Sequence, residues 1–306
     1  MTKETVAFKH WVKAARLRTL PLAFAVIILG SGLGYFHQGQ FSASLFVLAL
    51  LTSFAYQVLS NYANDLGDGI KGTDENKKGE QRAVASGLIS ISQMRSATNA
   101  FTLLALISGG TLVYLAFFGT LNYYIFSALN IAAVWAARSY TLGGNPYAYW
   151  GGGDFFVFIF FGFVGVMGSS ALQTGTLNAL DVLPSLVAGA MSASVLTLNN
   201  LRDREGDALH GKRTLVVRFG EKWGRGYFKT LLILSILVSL VFSILASALS
   251  KEYYPIIAHL IFQFVLQAQF KKFSQASTPE EYDALLKPLA LMTLLYCVLT
   301  SISLFL

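Results

Sequence analysis

Residues 45–74 read "LFVLALLTSFAYQVLSNYANDLGDGIKGTD". The first half is uncharged and apolar, the kind of segment that buries itself in the roughly 30 Å hydrocarbon core of a bilayer. The second half brings Asp65, Asp68, Lys71 and Asp74 directly behind it. The run therefore predicts a membrane helix that ends in a concentration of carboxylates.

The rest of the chain agrees with that class. Of its 306 residues 54% are hydrophobic and 13% charged, and mean hydropathy is +0.55. Soluble domains carry about 25% charged residues. Apolar windows of spanning length occur near 19–36, 42–61, 97–117, 121–139, 155–172, 182–200, 229–249, 253–270 and 288–306. The expectation is an all-α polytopic protein with about nine transmembrane helices. The first window follows a basic stretch (Lys3, Lys9, Lys13, Arg16 and Arg18), as in a signal peptide. Eight more windows follow it, so it is read as a retained helix. With these boundaries, 22 of the 23 lysines and arginines fall on one side, and Lys251 alone falls on the other. The positive-inside rule then places the N-terminus and the two long loops, 62–96 and 201–228, on the cytoplasmic side of the cell (inner) membrane. The one cysteine, Cys297, excludes a disulfide framework. No nucleic-acid partner is expected.

No Pro-rich linker or low-complexity tract divides residues 1–306, which read as a single intramembrane domain with two cytoplasmic cap loops. A faint repeat runs through it. "LSNYANDLGDGIKG" (59–72) and "LTLNNLRDREGDALHGK" (196–212) follow the second and sixth windows. Asn61/Asp65 matches Asn199/Asp203, with a second aspartate (Asp68 or Asp207) and a lysine (Lys71 or Lys212) beyond. Two pseudo-repeated four-helix units plus one helix would account for nine spans, and such repeats commonly hold a ligand at their interface.

On a helix, residues three, four, seven or eight apart share a face. Asn61, Asp65 and Asp68 would form one polar column, and Asn199, Asp203 and Asp207 another. Stacked carboxylates repel and need a counter-charge. The oxygen-rich donor set, with four histidines and one cysteine in the whole chain, suits Mg²⁺ rather than zinc. Mg²⁺ held by few carboxylates completes its octahedron with water and phosphate oxygens. Lys71, Arg82, Lys212 and Arg213 are the cations near enough in sequence to share that phosphate charge. Acidic columns, a divalent cation and an apolar interior together suggest a diphosphate with a greasy tail, a polyprenyl diphosphate.

These motifs resemble those of the UbiA superfamily of intramembrane prenyltransferases, which carry Asn-Asp-x-x-Asp-x-x-x-Asp and Asp-x-x-x-Asp. Here Asn64, Asp65 and Asp68 match the first, with Gly72 at its last position and Asp74 two residues further on. The Lys71–Asp74 variant resembles the 1,4-dihydroxy-2-naphthoate branch. So do "RAVASGLIS" (82–90), "YTLGGNPYAYWGGGDFFVFIFFGFVGVMG" (140–168) and "NNLRDREGDALHGKRTLVVRFG" (199–220). Ala83 stands where proline is common, Asp154 where glutamate is, and one residue is inserted near Leu142.

The resemblance implies ionisation of the allylic diphosphate with Mg²⁺ help, by two ions bridging the diphosphate. The cation is then attacked by a ring carbon of 1,4-dihydroxy-2-naphthoate that loses its carboxylate as CO₂. Asp65, Asp68, Asp203 and Asp207 are the expected metal and diphosphate ligands, with Asn61, Asn64 and Asn199 as polar support. Lys71, Arg82, Lys212 and Arg138 are expected on the diphosphate, and Asp74 in place of the missing motif aspartate. Tyr140 is placed either to face the allylic cation with its ring or to orient the acceptor, and Asp154 to hold acceptor hydroxyls. The competing acceptors within the superfamily are 4-hydroxybenzoate and homogentisate. A secondary transporter is the alternative from another class, but it would carry its carboxylates near the bilayer midplane.

Overall fold

The computed structural model describes residues 6–72 and 82–306, so Asp74 lies outside the described residues. Among these residues every regular element is a helix, with no strand. A short helix α1 (Phe8–Ala14) leads to α2 (Leu20–Gln38), α3 (Ala43–Lys71), α4 (Ile91–Phe117) and α5 (Leu121–Ser139). Helix α6 covers Gly153–Thr174 and is followed by α7 (Val182–Leu209), the short α8 (Leu215–Phe219), α9 (Glu221–Ser250), α10 (Tyr254–Gln275) and α11 (Pro279–Phe305). Seven helical stretches among the described residues are long and apolar enough to cross a membrane. Helices α5 and α10 fall outside that set, although they coincide with two of the windows read from sequence.

Local chemistry sets the ends. Ser90 and Gln93 form a reciprocal capping box at the start of α4, and Thr278 and Glu281 form another at the start of α11. Helix α3 stops at Gly72, whose φ of 71° closes the last turn in the left-handed region. Inside α6, residues Phe158–Met167 wind as a π-helix between two α-helical ends.

The apolar windows understate α3 and α7. Helix α3 runs on to Lys71 and α7 to Leu209, so both acidic motifs are helical, although they were expected to open loops. The physical reason is that these polar turns do not meet bulk solvent. Asn61, Asp65, Asp68, Arg202 and Asp207 are all buried, and a helix there satisfies its backbone internally.

Helix α7 is the central post. Its small residues Ser185, Ala188, Gly189, Ala190, Ala193 and Ser194 are buried, which lets α6, α9 and α11 pack around it. A Cβ on Gly189 would meet the Phe158 carbonyl at 2.8 Å. Helix α2 packs on α11 and α6, and Gly30 lets it approach α6 closely: a Cβ there would sit 2.2 Å from the Val166 carbonyl. Large apolar side chains such as Leu103, Leu115, Ile131, Leu237 and Phe264 face outward, as expected of a multi-pass membrane protein. Helices α2 to α7 leave a cavity of about 380 Å³ between them. It is lined on α3 from Ala49 to Asn64 and on α7 from Ser192 to Asp207, a depth of roughly 22 Å at 1.5 Å per residue.

Candidate active site

The cavity is polar at one end and apolar at the other. Its mouth carries Arg16, Arg18, Asn64, Arg82, Asn199, Asp203, Asp207 and Lys212. Further in, Leu22, Val26, Leu112, Leu129, Phe160 and Val164 form the wall. Polar side chains interrupt that wall, among them Thr52, Ser169, Ser192 and Tyr56, which donates to Asn130 Oδ1 at 2.5 Å.

At the mouth the two helical motifs converge on one lysine. Lys212 Nζ lies 3.7 Å from Asp68 Oδ2 on α3 and 3.8 Å from Asp207 Oδ1 on α7. The loop that carries Lys212 is fixed by two backbone bonds, Lys212 N–H to the Asp207 carbonyl at 2.8 Å and Arg213 N–H to the Tyr149 carbonyl at 3.2 Å. Burial alone would lower the Lys212 ammonium, but Asp68 and Asp207 outweigh it and hold the group well above the ordinary lysine value. Tyr149 donates to Asp68 Oδ1 at 3.3 Å. The face of its ring takes the Lys71 ammonium 3.7 Å from the centroid, and Lys71 also donates to the Thr141 carbonyl at 3.3 Å.

Tyr140 caps α5 at the same mouth, with Lys212 Nζ 5.8 Å from its ring centroid. Burial pushes its phenol up to about 12, so it stays neutral at physiological pH. The turn after it docks on α3: Thr141 donates to the Ala63 carbonyl at 3.0 Å. Gly67 permits this, since a Cβ there would come within 2.5 Å of Thr141 Oγ1. Gly69 does the same for Val84.

The other sequence candidates divide. Asp65 faces the 82–87 turn, its Oδ2 and Oδ1 accepting the Ala83 and Val84 N–H groups at 3.0 and 3.1 Å. Neither Asp65 nor Asp68 lines the cavity itself; Asp68 differs in lying 3.7 Å from Lys212, which does. Asp65 fixes the turn that presents Arg82. Asn61 donates to the Ala15 carbonyl at 2.8 Å and to Thr19 Oγ1 at 3.1 Å, tying α3 to the entry of α2. Arg138 donates to Asn99 and Thr102 on α4 at 3.0 and 2.7 Å, outside the cavity lining. Asp154, buried at the N-terminal end of α6, accepts from Thr197 at 3.4 Å and likewise does not line the cavity. Asn199 lines it while donating to the Val195 carbonyl.

Several mouth residues carried no readable signal. Arg16 and Arg18 sit in a basic stretch that reads as ordinary positive-inside charge, yet both line the cavity, and Arg16 adopts a left-handed φ of 49°. Tyr149 and Arg202 lie inside quoted motifs with nothing in their spacing to single them out.

Among the described residues no three His, Cys, Asp or Glu side chains enclose a metal by themselves. Mg²⁺ that shares its shell with water and a diphosphate needs no such cage. Among the described residues the buried Asp68 Oδ2 and Asn64 Oδ1 meet no hydrogen-bond donor; Asn64, Asn199, Asp203 and Asp207 line the mouth, and Asp68 adjoins it through Lys212. The donor set is hard and oxygen-only, so the residues fit such an ion.

Against known proteins, residues 23–297 match the UbiA prenyltransferase family. The 1,4-dihydroxy-2-naphthoate octaprenyltransferase of Haemophilus influenzae is 38% identical over 97% of this chain and 96% of its own. The enzyme of the same name from Escherichia coli is 39% identical over 80% of each chain. The fold resembles the apo structure of a UbiA homolog from Aeropyrum pernix, with TM-score 0.67 and 15% identity over 94% of this chain and 97% of that one. It also resembles a UbiA homolog from Archaeoglobus fulgidus bound to GPP and Mg²⁺, with TM-score 0.61 and 16% identity over 97% and 100%.

Proposed function

The chain belongs to the UbiA prenyltransferase family, and from that membership we propose that it transfers a polyprenyl group from polyprenyl diphosphate to 1,4-dihydroxy-2-naphthoate. The curated relatives that share 38–39% identity with it carry that activity in their names. One structural observation supports the reading most directly. Asp68 and Asp207, from the two motifs, meet around Lys212 at the polar mouth of an apolar cavity.

The reaction breaks the bond between the allylic carbon and the diphosphate oxygen, and its electron pair leaves with the diphosphate. The naphthoate ring carbon bearing the carboxylate supplies a pair to the allylic carbon. Loss of CO₂ returns a pair to the ring, giving a demethylmenaquinol. Asp68, Asp203 and Asp207, with Asn64 and Asn199, would hold Mg²⁺, taken as two ions. When bound, the metal neutralises charge growing on the departing diphosphate. Lys212, Lys71 and Arg82 carry the same task from the protein side, aimed before the charge develops. Tyr140, kept neutral by burial, presents a ring face and a hydroxyl beside Lys212, to the allylic cation or to the acceptor. The apolar wall excludes water that would quench the cation.

The oriented mouth also supports a topology. Nine spans, built as two four-helix units plus one helix, would put α1 and both motifs on the cytoplasmic face of the cell membrane, following the distribution of basic residues.

The test is turnover by purified protein with Mg²⁺, a series of prenyl diphosphates and the rival acceptors. Prenylation of dihydroxynaphthoate with CO₂ release is expected. Transfer to 4-hydroxybenzoate or homogentisate instead would move the chain to another branch, and no transfer from any diphosphate would remove the enzymatic reading.

A further inference from the structure

Asp203 opens the second acidic motif, and in the structure a cation already covers it. Arg202 Nε and Nη2 donate to its two oxygens at 2.7 and 2.8 Å, a bidentate pair. Consecutive residues on a helix do not face one another, so Arg202 has to bend back to reach its neighbour. A third group from elsewhere in the chain anchors the guanidinium. Asp283, in the second turn of α11, accepts from Arg202 Nη1 at 2.5 Å. Arg202 is buried and lines the cavity, whereas the Asp283 side chain is 38% exposed at the rim.

This arrangement leaves one edge of the guanidinium on a carboxylate assigned to metal and the other on a carboxylate outside the cavity. We propose that Arg202 is a diphosphate-binding arginine parked on Asp203, and that Asp283 is the positioning residue that keeps it aimed when Asp203 is given up. The inference rests on the metal-diphosphate reading above. When a divalent ion takes Asp203, the Nε–Nη2 edge is released. Its two parallel N–H groups match two phosphate oxygens as well as they matched the carboxylate, while Nη1 stays on Asp283. A metal ion arriving alone must displace Arg202 with no new acceptor for it. Together with a diphosphate, the displaced guanidinium has a partner. Metal and diphosphate therefore strengthen each other's binding, a coupling carried by one side chain.

The test measures affinities rather than turnover. Mn²⁺, as a paramagnetic stand-in for Mg²⁺, is titrated by electron paramagnetic resonance into detergent-purified protein, with and without inorganic pyrophosphate. In Arg202→Gln, Mn²⁺ alone is expected to bind tighter, because its competitor is gone. Pyrophosphate in the presence of Mn²⁺ is expected to bind about tenfold weaker or more, the worth of a charge-assisted bond. A merely structural role for Arg202 would move both affinities together. Asp283→Asn is expected to weaken pyrophosphate several-fold and raise KM for the prenyl diphosphate more than it lowers kcat, with Asp283→Glu restoring both. Because Asp283 sits at the rim, these variants decide the matter should Arg202→Gln fail to fold. Unchanged affinities in both variants, or a parallel loss in Arg202→Gln with normal binding in Asp283→Asn, would overturn the proposal. Absence of Mn²⁺ and pyrophosphate binding in the unmodified protein would instead overturn the functional reading beneath it.

Discussion

Asp65 and Asp68 stand three residues apart on one helix, yet they are chemically different groups. Asp65 uses both oxygens to hold backbone N–H groups of the 82–87 turn, whereas the buried Asp68 Oδ2 meets no hydrogen-bond donor among the described residues and lies 3.7 Å from the Lys212 ammonium. Asp68→Asn and Asp207→Asn are therefore expected to cut kcat by about 10²–10³-fold, the scale of losing one aimed electrostatic group, while thermal melting in detergent changes little. Asp65→Ala should lose activity together with melting temperature, because it frees a buried turn. Equal losses of stability in all three would contradict the distinction. Lys212 and Tyr140 also set a pH limit on stability. Both have folded values above their ordinary ones, Lys212 through its carboxylates against the cost of burial and Tyr140 through burial, to about 12. Each contribution is complete below the ordinary value and is lost as pH rises through the folded one. Melting temperature should thus hold to about pH 10 and fall across the next two units, less steeply in Tyr140→Phe.

At the scale of the elements, the glycines of "DLGDG" act through what lies across from them. Gly67 lies against Thr141 and Gly69 against Val84, so α3 locks the turn that bears Tyr140 and the turn that bears Arg82. Gly67→Ala should cost about 1–3 kcal/mol by overpacking. It should also lower kcat by shifting Tyr140, and a companion Thr141→Ser change should recover little, since serine keeps the hydroxyl oxygen that would lie at 2.5 Å and the Cβ and backbone carbon that would lie at 2.8 Å. Urea melts and single-turnover rates check both. The sequence made the helices legible because apolar length is a strong signal: the window 121–139 coincides with α5, and 155–172 falls inside α6. It also marked Asp68, Asp207 and Lys212 through their repeat. It could not show that Asp65 holds the Ala83 and Val84 N–H groups, since a shared helix face does not say which neighbour stands opposite. Asp283 was equally hidden, lying 81 residues from the arginine it holds. The π-helical middle of α6 has no local signature beyond its run of phenylalanines, and it runs so close to α7 that a Cβ on Gly162 would meet the Ser185 carbonyl at 2.7 Å.

For the whole molecule, the question of spans reduces to α5 and α10, the long helices that lack an apolar stretch of spanning length equal to those of the other seven. Helix α10 has 22 residues, about 33 Å of helix and enough to cross the hydrocarbon core. It packs between α9 and α11, so its polar groups need not face lipid. His259 pairs with Ser239 at 2.8 Å, and Gln269 donates to the Leu285 carbonyl at 3.0 Å. If α10 crosses, Lys251 and Glu280 lie on opposite faces of the membrane; if it does not, they share one. Both residues are exposed, and the chain's one cysteine, Cys297, is buried, which leaves a quiet background for thiol labelling. A membrane-impermeant maleimide applied to intact cells should therefore label Lys251→Cys and spare Glu280→Cys, and applied to inverted vesicles it should do the reverse. Labelling of both from the same side would place α10 on one face of the bilayer. It would also leave α9 and α11 to cross in an order the basic-residue distribution does not allow.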